Sequence, residues 1–175
     1  LPIHIRARKG LGLLPQETSV FKGLSVLDNL KTASELHRIE ATKQDKDERI
    51  ENLLIQFGLK EIEERQGKFL SGGEKRRLEL ARLLVSSPRY VLLDEPFAGV
   101  DPISINEIKR HISSLAQDNI GVLITDHNAA DMLDICDNVF VMSDGAIIFE
   151  GKPEAVAANE TVKSVYLGNY KQFKK

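Results

Sequence analysis

The sequence has a single cysteine, Cys136, and no apolar run approaching the roughly 20 residues that a membrane-spanning helix needs. An internal disulfide is therefore excluded, and a lone thiol fits a cytosolic compartment better than a secreted one. Cys136 is expected to pack as a small apolar side chain. The opening residues, Leu1-Pro2-Ile3-His4-Ile5-Arg6, do not have the layout of a signal peptide. An excess of one charge is missing too: the formal net charge is -2, so no whole-chain attraction to nucleic acid or anionic lipid is expected. Lys171, Lys174 and Lys175 read as a solvated tail. Any membrane role has to come through a partner. There is no internal repeat and no low-complexity segment.

What is present is the composition of an ordinary globular domain with one core, 42% hydrophobic and 29% charged over 175 residues. Gly12-Leu13-Leu14-Pro15-Gln16 reads as a short apolar strand broken by proline, a feature of the middle of a fold. From Ser25 to Leu59 the pattern is helical. Ser25 with Asp28 makes a capping-box-like start, and Ile50, Leu53, Leu54 and Phe57 share one face before Gly58 ends the run. The mixed charges of residues 40–51 read as a solvated turn and helix face. From Tyr90 onward, apolar strands alternate with helices. Residues 90–93 form one strand, Ile105, Ile108, Ile112 and Leu115 a helical stripe, and residues 121–125 another strand, which argues for a parallel sheet with crossover helices. Asp101 caps the intervening helix and Pro102 opens it. Residues 139–142 and 147–149 read as a hairpin turning through Ser143-Asp144-Gly145-Ala146, with two short helices from Pro153 to near Tyr166.

Three stretches carry chemistry. Ser71-Gly72-Gly73-Glu74 is a capping box ahead of the amphipathic helix of Leu78, Ala81 and Val85. Capping alone does not account for the glycines, each costing up to about 1 kcal/mol against alanine in a first turn. Close approach to a helix N-terminus does, and bare N–H groups there suit an anion such as a terminal phosphate. Asp94-Glu95 ends an apolar strand, where open α/β sheets bind ligands. Successive residues on an extended strand point to opposite faces, so these carboxylates are expected to have separate tasks. Thr125-Asp126-His127 follows the next strand and is expected beside them, with Asn128 capping the following helix.

Leu70-Ser71-Gly72-Gly73-Glu74 followed by Tyr90-Val91-Leu92-Leu93-Asp94-Glu95-Pro96 resembles the signature and Walker B elements of ABC-type ATPases. The resemblance implies a P-loop NTPase (ABC ATPase) α/β fold, here its C-terminal portion: a helical subdomain plus part of the parallel-sheet core. It divides the chain into the end of an N-terminal core with a glutamine loop (1–19), a helical subdomain ending in the signature helix (20–88), an α/β core (89–150) and C-terminal helices (151–175). It implies ATP and Mg2+ as cofactors. Asp94 would sit in the magnesium shell, usually through water, and Glu95 would polarise or deprotonate the attacking water. His127 would be the switch histidine that contacts the terminal phosphate. Gln16 would be the loop glutamine, accepting from magnesium or its water and donating to a phosphate oxygen. Ser71, Gly72, Gly73 and Glu74 would face the nucleotide of a second subunit, so a homodimer is implied. Ala98-Gly99-Val100-Asp101 matches the D-loop, which places Asp101 at that dimer interface. Phe21, beside Leu24, would either anchor a short helix of a transmembrane partner or belong to the core.

Within this family the strings Leu14-Pro15-Gln16-Glu17, Leu24-Ser25-Val26, Asp28-Asn29-Leu30, residues 94–104, Ile124-Thr125-Asp126-His127-Asn128 and Val165-Tyr166-Leu167-Gly168 are most similar to the ATPases of lipopolysaccharide export. That implies a subunit on the cytoplasmic face of the bacterial inner membrane, bound to paired transmembrane subunits and touching the membrane only through them. ATPases of branched-chain amino acid importers look similar in this half. A G-x-x-x-x-G-K-[ST] phosphate loop is absent. Gly67-Lys68 and Gly151-Lys152 are followed by Phe69 and Pro153, with Ile62 and Ala146 where the earlier glycine would stand. The expectation is a phosphate loop upstream of Leu1, and an ATPase that is inactive in these residues alone. A non-catalytic fragment occupying a membrane subunit's groove is the reading from a different class. A sheet short of strands would expose edges and apolar faces, so aggregation or compensating self-association is expected.

Overall fold

Three short apolar runs become three parallel strands in the computed structural model, which describes residues 1–36 and 42–163. Strand β1 (Leu11–Leu14) pairs with β2 (Tyr90–Asp94), and β2 pairs with β3 (Gly121–Thr125). The register sets Leu14 opposite Leu93 and Asp94 opposite Thr125, so the carboxyl ends of the strands share one edge. The strands belong to the first of two compact units, Leu1–Thr125; the second is Asp126–Lys175, described as far as Lys163.

Beyond the first, the α-helices of the first unit start where the sequence offers a cap. A short α1 (Ile3–Arg8), which the sequence pattern does not announce, precedes β1. Next, α2 (Val26–Leu36) begins after Ser25, whose hydroxyl accepts from the Asp28 N–H at 3.0 Å. Thr42 and Asp45 form a full capping box ahead of α3 (Lys43–Gln56), in the mixed-charge stretch; residues 37–41 of that region lie outside the described residues. After α3 the chain leaves the helix through Gly58 at φ +60°, while the Leu59 N–H reaches back to the Leu54 carbonyl. Ser71 caps α4 (Gly72–Leu84), and Asp101 caps α5 (Pro102–Gln117) with Pro102 in its first turn.

The periodic residues fill the core. Phe57, Leu78, Ala81, Val85, Ile108 and Leu115 are all buried, each large apolar side chain contributing about 1.5–3 kcal/mol. One face of the sheet, with Leu14, Val91 and Leu93, is buried; α4 contacts β1, where Gly12 lies against Leu83, and α5 contacts β3. The other face is open. Leu13 is 44%, Tyr90 60% and Leu123 55% exposed, whereas parallel sheets are ordinarily covered on both sides.

In the second unit, α6 (Ala129–Ile135) is capped by Asn128, and β4 (Val139–Ser143) turns onto β5 (Ala146–Gly151) as an antiparallel hairpin. Its two turn residues, Asp144 and Gly145, both have positive φ, the backbone that a tight two-residue hairpin favours. Short helices α7 (Pro153–Ala158) and α8 (Glu160–Val162) follow, and Val141, Val156 and Val162 form the small core. Val165-Tyr166-Leu167-Gly168 and the lysines at 171, 174 and 175 lie outside the described residues. Among the described residues no helix is long and apolar enough to cross a membrane.

Candidate functional site

At the shared strand edge, four side chains meet. The Thr125 hydroxyl donates to Asp94 Oδ1 at 2.6 Å, and Gln16 Nε2 donates to Glu95 Oε2 at 2.7 Å. The Glu95 N–H donates to the Thr125 carbonyl at 2.8 Å, continuing the β2–β3 ladder one step past the strand. The two carboxylates do have different partners, but not for the reason that strand alternation suggests. β2 stops at Asp94, and Glu95 has φ +45°, a left-handed backbone that a glutamate rarely adopts. The turn, not the pleat, sends Asp94 toward β3 and Glu95 toward the segment after β1. Such a conformation costs on the order of 1–3 kcal/mol, and it persists only where the surroundings hold it.

What holds it is Arg76 on α4, a residue that motif reading passes over. Its side chain is buried. Nη2 donates to the Glu95 carbonyl at 2.6 Å, Nε to the Pro96 carbonyl at 2.8 Å, and Nη1 to the Pro15 carbonyl at 3.1 Å. Nη1 also pairs with Glu79 Oε2 at 3.1 Å. The other oxygen of Glu79 accepts from Thr18 Oγ1 at 2.8 Å and from the Ser19 N–H at 2.6 Å. The sequence signal for this pair is weak: two opposite charges three apart on a charged helix look like surface decoration.

The Ser71–Glu74 turn is a complete capping box. The Glu74 N–H donates to Ser71 Oγ at 3.2 Å, and the Ser71 N–H to Glu74 Oε2 at 2.7 Å. Partial burial works against the Glu74 carboxylate. The Ser71 hydrogen bonds and the positive charges of Arg65 and Arg77 outweigh it, so the net shift of its pKa is downward. The close approach that the glycines permit comes, within this chain, from the segment before α5 and from the first turn of α5. A Cβ at Gly72 would come within 2.7 Å of the Gly99 carbonyl oxygen, and one at Gly73 would fall inside the Ser104 side chain. Asp101 accepts from the Ile103 and Ser104 N–H groups; its carboxyl is held below the ordinary value by the Ser104 side chain first and these backbone bonds next.

Phe21 is not core. It is 40% exposed, and the Arg82 guanidinium lies over its ring, 4.6 Å from the centroid. Buried Asn29 holds this segment by accepting from the Phe21 N–H at 2.9 Å and donating to its carbonyl at 3.1 Å. His127, in the second unit, has a side chain 77% exposed, with Nδ1 3.8 Å from Asp126 Oδ1. Cys136 is half-buried, and burial raises its thiol pKa, as for a packing residue.

Among the described residues no group of three or more His, Cys, Asp or Glu is placed to hold a metal ion. At the strand edge the available donors are one carboxylate, Asp94, and the Gln16 amide oxygen, since the amide nitrogen already serves Glu95. That set fits Mg2+, which takes one or two protein ligands and fills its octahedron with phosphate oxygens and water.

A family model described as "ABC transporter" matches residues 2–98. The "Lipopolysaccharide export system ATP-binding protein LptB" of Haemophilus influenzae is 47% identical over 174 residues, covering 99% of this chain and 71% of its own length. Its namesake in Escherichia coli K12 is 46% identical over 168 residues, 96% of this chain and 69% of its own. Among solved structures, cbiO1 of Clostridium perfringens, part of the ABC transporter complex cbiONQ, superposes with a TM-score of 0.79 at 28% identity over 95% of this chain and 67% of its own. The ADP conformation of MJ1267, an ATP-binding cassette of an ABC transporter, gives 0.79 at 27% identity over 94% and 71%.

Proposed function

Because the chain belongs to the ABC transporter family of ATPases, we propose that it is the ATP-hydrolysing subunit of a lipopolysaccharide export transporter. The observation that carries the chemistry is the Gln16–Glu95 contact beside Asp94 at the carboxyl edge of the parallel strands. Gln16 orients the Glu95 carboxylate, which polarises or deprotonates the water that attacks the terminal phosphate. Asp94 and the Gln16 amide oxygen would hold Mg2+, which when bound neutralises phosphate charge. His127 contacts the terminal phosphate, and Ser71, Gly72, Gly73 and Glu74 face the nucleotide of a second copy, with Asp101 at the same dimer interface.

The phosphate loop is supplied from outside these residues, and the 175 residues alone do not turn over ATP. The absent G-x-x-x-x-G-K-[ST] sequence and the open sheet face of Leu13, Tyr90 and Leu123 support this. From the cytoplasmic face of the inner membrane, work done by ATP reaches the lipid through paired transmembrane subunits. Phe21, propped outward under Arg82, is the anchor for their short helices. Phe21→Ala should leave turnover of the isolated ATPase within about twofold while weakening association with those subunits about tenfold or more. Unchanged copurification would remove Phe21 from that role.

Reconstitution tests the substrate. With its membrane subunits in vesicles, the intact ATPase should extract lipopolysaccharide only when MgATP is hydrolysed. Amino acid uptake in its place would identify an importer instead.

A further inference from the structure

A buried ion pair is costly to desolvate, and an apolar pair of similar volume often stabilises a fold at least as well. Arg76 and Glu79 nonetheless spend nearly all their hydrogen-bonding capacity on two segments outside α4. Arg76 grips the carbonyls of Glu95 and Pro96 on one side and that of Pro15 on the other, with the Asp94 carbonyl at 3.5 Å. Glu79 takes Thr18 and the Ser19 N–H. Gln16 is thus bracketed, by Pro15 before it and Thr18–Ser19 after it, while Glu95 is fixed through its own carbonyl and that of the next residue.

From this arrangement we infer that Arg76 is a positioning residue for hydrolysis. Paired with Glu79, it holds Glu95 in its left-handed turn and sets the 2.7 Å contact between Gln16 and Glu95. A planar fork with five donors can serve carbonyls on two separate loops at once; a lysine ammonium on a flexible stem cannot hold the same geometry. The same helix starts at Ser71–Glu74. One rigid element therefore joins the turn that faces the partner's nucleotide to the turn that carries this chain's own carboxylate. The inference rests on the ATPase reading above.

The test compares kcat and KM for MgATP, melting temperature and nucleotide-dependent dimerisation in the intact ATPase. The variants are Arg76→Lys, the double change Arg76→Met with Glu79→Leu, and Glu95→Gln. Arg76→Lys should lower kcat by about 30-fold with KM within about threefold and dimerisation kept, as displacement of a reacting group by a fraction of an ångström does. The double variant should keep its melting temperature and still lose at least about tenfold in kcat. Wild-type kcat in either variant would overturn the inference, as would failure of both to fold, which would make the pair purely structural. If the double variant alone fails to fold, Arg76→Lys decides. Glu95→Gln separates the two readings: undiminished turnover there sinks the ATPase assignment itself, whatever Arg76 does.

Discussion

The capping bonds of Ser71–Glu74 run between residues 3 apart, and Arg65, 9 away, pairs with Glu74, whereas the side-chain bonds at Asp94–Pro96 come from residues between 18 and 79 positions away. The first turn is held by near neighbours in sequence. The second is held by α4, by β3 and by the segment after β1, and its central residue stands in a backbone conformation it would not adopt alone. A group that only presents N–H donors to a ligand needs a helix end and a cap. A group that must aim a carboxylate at one water needs support from several directions, because small displacements there cost rate steeply.

Damage at the two turns should therefore look different. Glu95→Gln removes the carboxylate base while keeping shape, and should slow hydrolysis by about 100-fold or more with nucleotide-dependent dimerisation preserved; single-turnover phosphate release alongside sedimentation would check both. At the signature turn, Gly73→Val drives a branched side chain into Ser104. It should cost about 1–3 kcal/mol, or roughly 2–4 °C in melting temperature per kcal/mol, with α4 displaced from α5. Calorimetry reads this directly, and an unchanged melting temperature would mean that α4 and α5 part without cost.

The smallest effect concerns pH. The Glu74 carboxyl lies below its ordinary value in the folded chain, so its contribution is present above the unfolded pKa of about 4.3 and is lost as pH falls through the folded one. Glu74→Gln keeps a capping-box residue but cannot titrate. The variant should lose less stability than the parent between about pH 5 and pH 3, measured as denaturant midpoints. Identical acid limbs would remove Glu74 from the balance.

The same contrast explains what the sequence makes legible. The β2 and β3 strands, the Asp101 and Ser71 caps, the Gly58 stop and the Asp144-Gly145 hairpin all depend on neighbours in sequence, and each stands where its pattern puts it. Arg76 and Glu79 are invisible by that route, because charges three apart on a helix carry no mark of burial. The left-handed Glu95 is likewise set by remote carbonyl contacts. Strand periodicity, extended one residue too far, yields separate roles for Asp94 and Glu95 from a geometry the chain does not have. The glycine pair was legible as a site of close approach, but not which atoms approach: within this chain they are those of Gly99 and Ser104.

The claim that these two turns serve two different active sites is tested most directly by phosphate release from mixed dimers of the intact ATPase. Ser71→Asp suits the purpose, since aspartate caps a helix as well as serine while its charge repels a phosphate. Mixing Ser71→Asp protomers with Glu95→Gln protomers restores one intact composite site, so turnover should rise well above that of either parent. Combining both changes in one protomer and pairing it with wild type leaves a defect in each site, so that heterodimer, purified away from the wild-type homodimer through a different tag on each protomer, should turn over slowly. The opposite pattern, recovery only when both changes share a protomer, would contradict the account by placing both turns in one site.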